Sequence, residues 1–499
     1  MMGAGDLTRR GLIAMAAAFL GKAALAGAPS VSLRPVLRGH AGGHATIGGL
    51  AEVVQAAKLR GAVSCAVADV LTAQPLEDYQ GDMHLPPASV AKAITALYAL
   101  DVLGAEHRFP TRLLATGPVR DGVLDGDLIL AGGGDPTLDS DALAALAQQM
   151  QAAGISGVSG SFLVYDAALP RQTHIDPSQP EHVAYNPAVA GLALNYNRVH
   201  FEWHKAAQGY DTRLEARARQ NRPTVHSSQM QITDRASPVY GYKNNGRRDE
   251  WSVARTALGA GGGRWLPVRQ PGLYAGDVFA TLAGQYGVSL RAARLMTTLP
   301  ADASVLAQHQ SAPLIDILRR MLRYSTNLTA EMLGAAASVR QSGAVNDLRS
   351  SATQMNTWAR QRLNMRDPGL VDHSGLSDQS RLSANDMVRG LIAAQSMQTL
   401  RPLLKSFGLR DANGRPDKTH PIKVDAKTGT LHFVSGLGGY MTARNGAVMA
   451  FAIFSADAQT RAGLSKAERE APKGARSWNR KAKSLQQKLI EHWGARFGA

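Results

Sequence analysis

The sequence predicts a folded protein of the α+β class, in which both ends of the chain contribute strands and helices. Strand-like apolar runs occur at 61–70 and 436–457, and helical spacing of apolar residues occurs at 89–103 and 313–333. Because the chain has 499 residues, about two to four domains are expected. Between 112 and 308 the sequence pattern changes to turn residues, short strand-like runs and polar, basic stretches. That middle part therefore looks like inserted, loop-rich or β-rich material.

The N-terminus resembles a twin-arginine export signal spanning residues 1–28. Arg9 and Arg10 precede a moderately apolar run rich in glycine and alanine, and small residues suit cleavage near Ala26 or Ala28. The alternative is an amphipathic helix of the mature fold. No later stretch offers about 20 uninterrupted apolar residues, so we expect an exported protein without a spanning helix after cleavage.

The formal net charge of +16 suggests attraction to a negatively charged partner. Cleavage at Ala26 would remove three cations and one acid and leave +14. An exported basic protein would be drawn to anionic envelope polymers or lipid headgroups, which predicts peripheral envelope association. Nucleic acid is the weaker alternative, because the cations are mostly spread out and no zinc-knuckle, RNP-like or basic-zipper pattern occurs. Cys65 is the single cysteine and cannot form an internal disulfide, which leaves the compartment open.

Three later segments have patterns that predict their structure. The apolar run at 89–103 predicts a helix that is buried on nearly all sides, with Gly104 placed to end it. Asn445-Gly446 between two strand-like runs predicts a hairpin. The basic segment 476–493 predicts an amphipathic helix, which we expect to pack on the neighbouring sheet; contact with a membrane is the alternative.

Ser89 and Lys92 lie three residues apart at the front of the apolar helix. A serine hydroxyl attacks a carbonyl poorly unless a base takes its proton, and a lysine one helical turn away is within reach of that proton. Lysine has a reference pKa of about 10.4, so its deprotonation at pH 7 costs about 4–5 kcal/mol. Burial and a second nearby cation would both lower that cost. Alternatively, Ser89 caps the helix and Lys92 extends to solvent.

Two further motifs follow this pair along the chain. Ser-Thr-Asn at 325–327 lies between two helical patterns, and Lys-Thr-Gly-Thr at 427–430 begins a strand-like region. Taken singly, the first could cap a helix and the second could form a turn. The three motifs in this order resemble those of the penicillin-recognising serine enzymes.

The spacing of the motifs narrows the resemblance. Ser89 and Ser325 are 236 residues apart, whereas Ser325 and Lys427 are 102 residues apart. A large insertion at that point is similar to the D-alanyl-D-alanine carboxypeptidase/endopeptidase family, the class C low-molecular-mass penicillin-binding proteins. Further stretches that resemble this family's patterns lie at 130–138, 186–199, 372–377 and 427–441.

The resemblance implies a particular fold. We expect a penicillin-binding, transpeptidase-like domain built from 29–111 and 309–499, with an antiparallel five-stranded sheet flanked by helices. One or two smaller β-rich domains, possibly nested, would be inserted at 112–308. The resemblance also implies a location in the periplasm.

The catalytic roles are likewise implied by the resemblance. Ser89 would be the acylated nucleophile and Lys92 its general base. Ser325 would relay protons to the leaving amine, with the positive charge of Lys427 beside it. The backbone N–H groups of Ser89 and Thr430 would form an oxyanion hole, in which one donor is typically worth about 2.7–4 kcal/mol.

Other positions would bind the substrate. Asn327 would bind the substrate amide, Thr428 would hydrogen-bond the terminal carboxylate, and Gly429 belongs to the same substrate-binding stretch. Asp176 falls near the place where the family can hold the amine of diaminopimelate. His373 stands where the family usually has glycine, and it either narrows the cleft or adds a titrating group there, or is a harmless surface change.

The implied function is a serine D,D-peptidase that cleaves the D-Ala-D-Ala or D-Ala-diaminopimelate bond of peptidoglycan peptides, with β-lactams as inhibitors and no metal or organic cofactor. A β-lactamase or esterase of the same fold is one alternative, although no convincing deacylating glutamate is found between the last two motifs. A non-catalytic peptidoglycan-binding or β-lactam-sensing module is the other. A pure binder has no use for a buried neutral lysine, so the intact set of Lys92, Ser325 and Lys427 argues against it.

Overall fold

The computed structural model describes residues 49–396, 398–411 and 413–499, and the predicted export signal lies outside them. The α-helices in these ranges are α1 (Leu50–Ala56), α2 (Ala91–Leu103), α3 (Ser140–Ala152), α4 (Pro271–Gln285), α5 (Leu314–Tyr324), α6 (Asn327–Ser342), α7 (Leu348–Leu363), α8 (Ala384–Ser396), α9 (Ala458–Ala462) and α10 (Ala475–Phe497). The strands are β1 (Ala62–Asp69), β2 (Pro75–Tyr79), β3 (Pro110–Ala115), β4 (Val119–Arg120), β5 (Val123–Leu124), β6 (Leu128–Gly132), β7 (Gly157–Val158), β8 (Phe162–Tyr165), β9 (Arg198–Lys205), β10 (Tyr210–Glu215), β11 (Ser228–Thr233), β12 (Tyr240–Asn244), β13 (Asp249–Ala254), β14 (Gly261–Pro267), β15 (Arg294–Met296), β16 (Ser304–Gln310), β17 (Lys405–Ser406), β18 (Lys423–Leu431), β19 (Val434–Thr442) and β20 (Val448–Ala456).

The largest sheet joins strands from the two ends of the described chain in the order β17-β18-β19-β20-β1-β2. All neighbouring pairs are antiparallel. Five of these strands form the antiparallel sheet that was predicted, and β17 adds a two-residue edge. The predicted hairpin is also present, because β19 and β20 pair from Thr442 and Val448 inward and Gly446 has a φ of 87° in the turn.

Helices cover both faces of this sheet, which explains why β20 is apolar along nearly its whole length. Side chains alternate along a strand, and Phe451 and Ile453 accordingly share a core with α1 and α10. Ala452 and Phe454 face the other way, toward a core that contains α2, α5, α6, α7 and α8. The packing of α10 on the sheet confirms the prediction for that segment. Among the described residues, no helix is long and apolar enough to cross a membrane.

The middle of the chain forms separate, smaller sheets. A five-stranded sheet has the order β15-β8-β6-β3-β16, and three three-stranded sheets have the orders β10-β9-β14, β11-β13-β12 and β4-β5-β7. These strands share a hydrophobic core with α3 and α4 that runs in sequence from Leu113 to Ala307. This material is β-rich, as expected; the domain limits at 112 and 308 remain a prediction.

Two helix boundaries place functional residues. The helix α2 follows a 3₁₀ turn at Ala88–Val90 and is buried from Ala91 to Ala99, and it ends at Gly104 with a φ of 85°. The helical pattern at 313–333 is broken in its middle, where Ser325 takes a left-handed conformation with a φ of 58° between α5 and α6. Non-glycine residues rarely adopt this conformation, so the break is a specific structural feature.

Candidate active site

Ser89 lies in the 3₁₀ turn that leads into α2, and Lys92 lies in the first turn of that helix. The Nζ atom of Lys92 is 2.9 Å from Ser89 Oγ. It also donates to Asn327 Oδ1 at 2.7 Å and to the carbonyl oxygen of Ser374 at 2.7 Å. A neutral amine has two hydrogens and one lone pair. The two acceptors at 2.7 Å would take both hydrogens and leave the lone pair for the hydroxyl of Ser89.

The surroundings of Lys92 favour this neutral form. The side chain is completely buried, and burial lowers the pKa of Lys92 well below its usual value. The charge of Lys427 lowers the pKa further, whereas the nearby carboxyl groups of Glu331 and Asp372 raise it. The combination of an apolar wall and a second lysine agrees with what a lysine base requires.

A second serine–lysine pair faces the first. Lys427 donates from Nζ to Ser325 Oγ at 2.9 Å and to the carbonyl oxygen of Thr428 at 2.8 Å. Burial lowers the pKa of Lys427 to about 8. The left-handed backbone of Ser325 ends α5 and turns its hydroxyl toward β18.

The strand β18 lies directly against the turn that carries the serine. A Cβ added at Gly429 would be 2.6 Å from the carbonyl oxygen of Pro87 and 3.0 Å from the backbone nitrogen of Ser89, so only glycine fits here without displacement. Thr428 and Thr430 alternate with Gly429 and are exposed. The structure therefore brings the backbone of Ser89 and the 427–430 stretch together.

Asn327 connects the site to the middle part of the chain. It is the first residue of α6, and its Nδ2 donates to the carbonyl oxygen of Tyr185 at 2.9 Å. Tyr185 is partly exposed, and its hydroxyl donates to Gln179 Oε1 at 3.3 Å. A loop of the middle region thus forms one wall beside Asn327.

Asp176 is not in contact with the two serine–lysine pairs. Its carboxylate accepts hydrogen bonds from the backbone and hydroxyl of Ser178, both at 2.9 Å, and from Gln179 Nε2 at 2.8 Å. Asn186 binds the backbone of Asp176 at both its N–H and its carbonyl group. Asp176 therefore organises the loop that carries Tyr185.

Two buried carboxyl groups beneath the site had no predicted role. Glu331 accepts hydrogen bonds from the backbone N–H groups of His373 at 3.1 Å and Ser374 at 2.9 Å. Asp372 accepts hydrogen bonds from the N–H groups of Gly375 and Ser377 at 3.1 and 2.8 Å. Together they hold the loop whose Ser374 carbonyl binds Lys92. Burial and the neighbouring Asp372 raise the pKa of Glu331 to about 8.

A sequence feature could have identified Glu331. It follows Asn327 by four residues, and its neighbours on α6 are alanine, methionine and leucine. A carboxyl group in such a helix is rarely buried unless it is paired or hydrogen-bonded. Asp372 belongs to a stretch that resembled the family, but that resemblance assigned it no role.

Both interpretations of His373 are wrong. The side chain is completely buried and is therefore not a surface change. Its ring nitrogens contact Ser351 Oγ at 2.7 Å and Met355 Sδ at 3.3 Å on α7, and the ring occupies the space above Gly334 on α6. Burial lowers the pKa of His373 to about 3, so the ring is neutral. It is a packing element between helices and not a cleft group.

No cluster of three or more histidine, cysteine, aspartate or glutamate side chains that could hold a metal is found in the described ranges. The two carboxyl groups nearest Lys92 are already bound to backbone N–H groups. The site offers a hydroxyl, a buried amine in contact with it, and a second hydroxyl beside a second amine. These groups suit acyl transfer with proton movement between them.

A family model and two relatives of this chain are described as D-Ala-D-Ala carboxypeptidases. The family model of the D-Ala-D-Ala carboxypeptidase 3 (S13) family matches residues 47–474. A D-alanyl-D-alanine carboxypeptidase of Actinomadura sp. (strain R39) is 30% identical over 438 residues, which cover 79% of this chain and 78% of the relative. The D-alanyl-D-alanine carboxypeptidase DacB of Haemophilus influenzae is 26% identical over 411 residues, which cover 76% of this chain and 82% of the relative.

A solved structure is similar in fold. The crystal structure of penicillin binding protein 4 (dacB) from Haemophilus influenzae superposes with a TM-score of 0.69 and 21% sequence identity, covering 90% of this chain and 100% of that chain. The same protein has also been solved in complex with a β-lactam. The likeness confirms the predicted penicillin-binding fold with its additional domains.

Proposed function

The chain belongs to the D-Ala-D-Ala carboxypeptidase 3 (S13) family, and on that premise we propose that it cleaves peptidoglycan stem peptides and cross-links through an acyl-enzyme on Ser89. The observation that carries this proposal is the 2.9 Å contact between Ser89 Oγ and the buried amine of Lys92. Such a contact allows the amine of Lys92 to remove the hydroxyl proton of Ser89. A protein that only bound peptidoglycan would gain nothing from burying a lysine that must lose its charge.

The reaction proceeds in two steps. Lys92 takes the proton of Ser89 as Oγ attacks the carbonyl carbon on the donor side of the scissile bond. The oxyanion that forms accepts hydrogen bonds from the backbone N–H groups of Ser89 and Thr430. The proton then passes through Ser325, next to the cationic Lys427, to the nitrogen of the leaving amine as the C–N bond breaks. Water subsequently attacks the ester and releases the acid and Ser89.

Other residues position the substrate in this proposal. Asn327 binds the donor amide, and Thr428 donates a hydrogen bond to the carboxylate that follows the scissile bond. Gly429 allows the substrate-binding strand to approach Ser89 closely. Asp176 recognises the amine of diaminopimelate, either by direct contact or through the loop that it organises.

A β-lactam would follow the same first step. Ser89 opens the strained ring, but the amine produced stays tethered to the acyl group and obstructs the water that should release it. Glu331 does not provide the deacylating base of a β-lactamase, because its two oxygens accept the N–H groups of His373 and Ser374. We therefore expect a long-lived penicilloyl adduct.

The site requires an external substrate in the cell wall, so we propose that residues 1–28 direct the protein to the periplasm. The charge of +14 that remains after cleavage at Ala26 supports attraction to the anionic polymers there.

The proposal is tested with intact-mass spectrometry after exposure to penicillin. The wild-type protein should gain one penicilloyl group, and peptide mapping should place it on Ser89. Lys92→Met retains most of the side-chain volume but removes the amine, and it should slow acylation by about 10²–10⁴-fold, the usual contribution of a general base. The release of D-Ala from purified pentapeptide should slow in Lys92→Met to the same extent.

Lys481→Met, on the exposed side of α10, serves as the matched control and should acylate at the wild-type rate. Thermal denaturation of each variant shows whether the fold is intact. An adduct on another residue, or ordinary acylation by a folded Lys92→Met protein, would contradict the mechanism. Rapid turnover of penicillin without an adduct would instead indicate a β-lactamase.

A further inference from the structure

A large groove lies beside the proposed substrate-binding strand, between β18 and α10. Its volume is about 980 Å³, within the range of small-molecule and peptide sites. One wall consists of Thr428, Gly429 and Thr430, and another consists of the α10 side chains that include Arg480 and Lys483. We call it the α10 groove.

The α10 groove carries a surplus of positive charge. Arg480, Lys483 and Lys488 lie on one face of α10, opposite the apolar face that packs on the sheet. All three are exposed, and no hydrogen bond or ion pair is found for them within the described part of the chain. The two acidic residues that line the groove are already engaged: Asp411 accepts from two backbone N–H groups of its own loop, and Glu491 accepts from Gln487.

The outer wall of the groove is attached to the helix and is not a loose loop. Gln487 Nε2 donates to the carbonyl oxygen of Arg410 at 2.6 Å, and Gln487 Oε1 accepts from the Arg410 N–H at 3.2 Å. Arg410 itself adds a fourth cation to the lining. A wall held by paired hydrogen bonds presents its charges at defined positions.

The groove begins at Thr428, the residue that is proposed to bind the substrate carboxylate. Side chains alternate along β18, so Thr428 and Thr430 face away from the Gly429 surface that touches the Ser89 turn, and they point into the groove. Within the described chain, β17 pairs with β18 only at Asp425 and Ala426. The edge next to the groove therefore remains open from Lys427 onward.

Substrates with different leaving groups would use this space differently. In a D-Ala-D-Ala pentapeptide the leaving group is a single D-Ala, whose only carboxylate is bound at Thr428. In a D-Ala-diaminopimelate cross-link the leaving group is a complete second stem peptide, which carries further carboxylates beyond that point. A stem of this kind needs both room and compensating positive charge on the leaving side.

We propose that the α10 groove is a subsite for the leaving stem of a cross-link, where Arg480, Lys483 and Lys488 bind its carboxylates and favour endopeptidase action. This inference rests on the proposed function, because it takes the position of the scissile bond from Ser89 and Thr428. It assigns a specificity role to residues that do not touch the reacting atoms.

The test compares two substrates on one protein. The triple variant Arg480→Gln, Lys483→Gln, Lys488→Gln should lower kcat/KM for a purified cross-linked muropeptide dimer about 3- to 150-fold more than kcat/KM for the pentapeptide, since three exposed charge pairs at about 0.2–1 kcal/mol each are lost. The loss should appear mainly in KM. The matched control is Lys473→Gln, Arg476→Gln, Lys481→Gln, which removes the same charge from exposed positions outside the groove.

A second measurement needs no variant. Amidation of the carboxylates on the second stem of the dimer, apart from the one bound at Thr428, should weaken its cleavage by the wild-type protein to a similar extent. Three results would each overturn the subsite. The groove variant could lose as much kcat/KM on the pentapeptide as on the dimer, or the control variant could lose as much kcat/KM on the dimer as the groove variant does. The third result is cleavage of the dimer that does not change on amidation. A wild-type protein that forms the Ser89 adduct and cleaves pentapeptide but no dimer would also overturn it and leave the proposed function intact. Absence of the adduct would reject the proposed function itself.

Discussion

The surroundings of Lys92 oppose its charge, as its proposed role as a base requires. Full burial removes the hydration that stabilises an ammonium group, and Lys427 adds repulsion from a second cation. Glu331 and Asp372 work in the opposite direction and keep the shift from becoming larger. The two lysines are thus complementary in the proposed mechanism, which requires Lys92 to be neutral at the moment when Lys427 is charged.

This division predicts a bell-shaped pH profile for the acylation of Ser89. The rate should fall as the pH drops through the lowered pKa of Lys92, because the base becomes protonated. It should also fall as the pH rises through about 8, where Lys427 loses its proton. Stopped-flow acylation by a fluorescent penicillin measures both limbs.

Variants of Lys427 identify the alkaline limb. Lys427→Arg keeps a cation whose pKa exceeds about 12, so that limb should move up and out of the measured range. Lys427→Met removes the repulsion and should shift the acid limb, set by Lys92, to higher pH. An alkaline limb that stays near its wild-type position in Lys427→Arg would show that another group controls it.

The strand β18 and the break between α5 and α6 are the elements that align the two serine–lysine pairs. β18 carries Lys427 and, through Gly429, rests against the turn that holds Ser89. The left-handed Ser325 ends one helix and permits Asn327 to begin the next, so both side chains reach the same cleft. A small shift of either element would separate groups that must be in contact.

Gly429→Ala should therefore impair both catalysis and stability. The added Cβ would lie 2.6 Å from the Pro87 carbonyl oxygen, so β18 must move away from the Ser89 turn. We expect acylation to slow by about 10- to 100-fold, since a displacement of about 1 Å can cost 10²-fold, with a loss of about 1–3 kcal/mol in the free energy of unfolding.

Acylation rates and urea denaturation check this prediction. Gly284→Ala on α4 is a suitable control, because nothing lies within 4 Å of a Cβ at that position. That variant should retain full activity and gain about 0.5–1 kcal/mol from the better helix former. Wild-type acylation by Gly429→Ala would mean that the close approach of β18 is not required.

Across the protein, the site is assembled from segments that are distant in the chain. β1 lies between β20 and β2, so the sheet is complete only when strands from the two ends of the described chain pair. Tyr185 brings the middle region to Asn327. Beneath the cleft, His373 fills the space between α6 and α7 as a neutral ring, which links the stability of the assembled protein to pH.

Stability should decrease in mild acid partly because of His373. Burial lowers the pKa of this group from 6.5 to about 3, so between these values the unfolded chain binds a proton that the folded protein does not. Its contribution is therefore present above pH 6.5 and is lost as the pH falls toward 3. Between pH 7 and pH 5 the loss amounts to about 2 kcal/mol.

Urea denaturation at the two pH values tests this linkage. His373→Gln cannot be protonated and should lose about 2 kcal/mol less than the wild type on this change of pH, even if it is less stable overall. His226→Gln, at an exposed position, should behave like the wild type. An identical pH dependence in the His373 variant would show that the ring is protonated in the folded protein.

The sequence by itself determined the candidate nucleophile, its lysine and the two other motifs, as well as the strand-like runs at 61–70 and 436–457, the buried helix and the Asn445-Gly446 hairpin. These follow from patterns of a few residues, because helix and strand periodicity, turn chemistry and motif spacing are properties of the local chain. The motif order also sufficed to identify the family, and hence the expected fold. The roles of the site residues, including Asp176, remain predictions.

Only the tertiary structure decided what lies around those motifs. Lys92 meets Asn327 across 235 residues and Ser374 across 282, and Lys427 meets Ser325 across 102. Burial and electrostatic shifts arise from such long-range contacts, which no local pattern encodes. For the same reason, the burial of His373, the support from Glu331 and the cationic groove between β18 and α10 became visible only when the chain was folded.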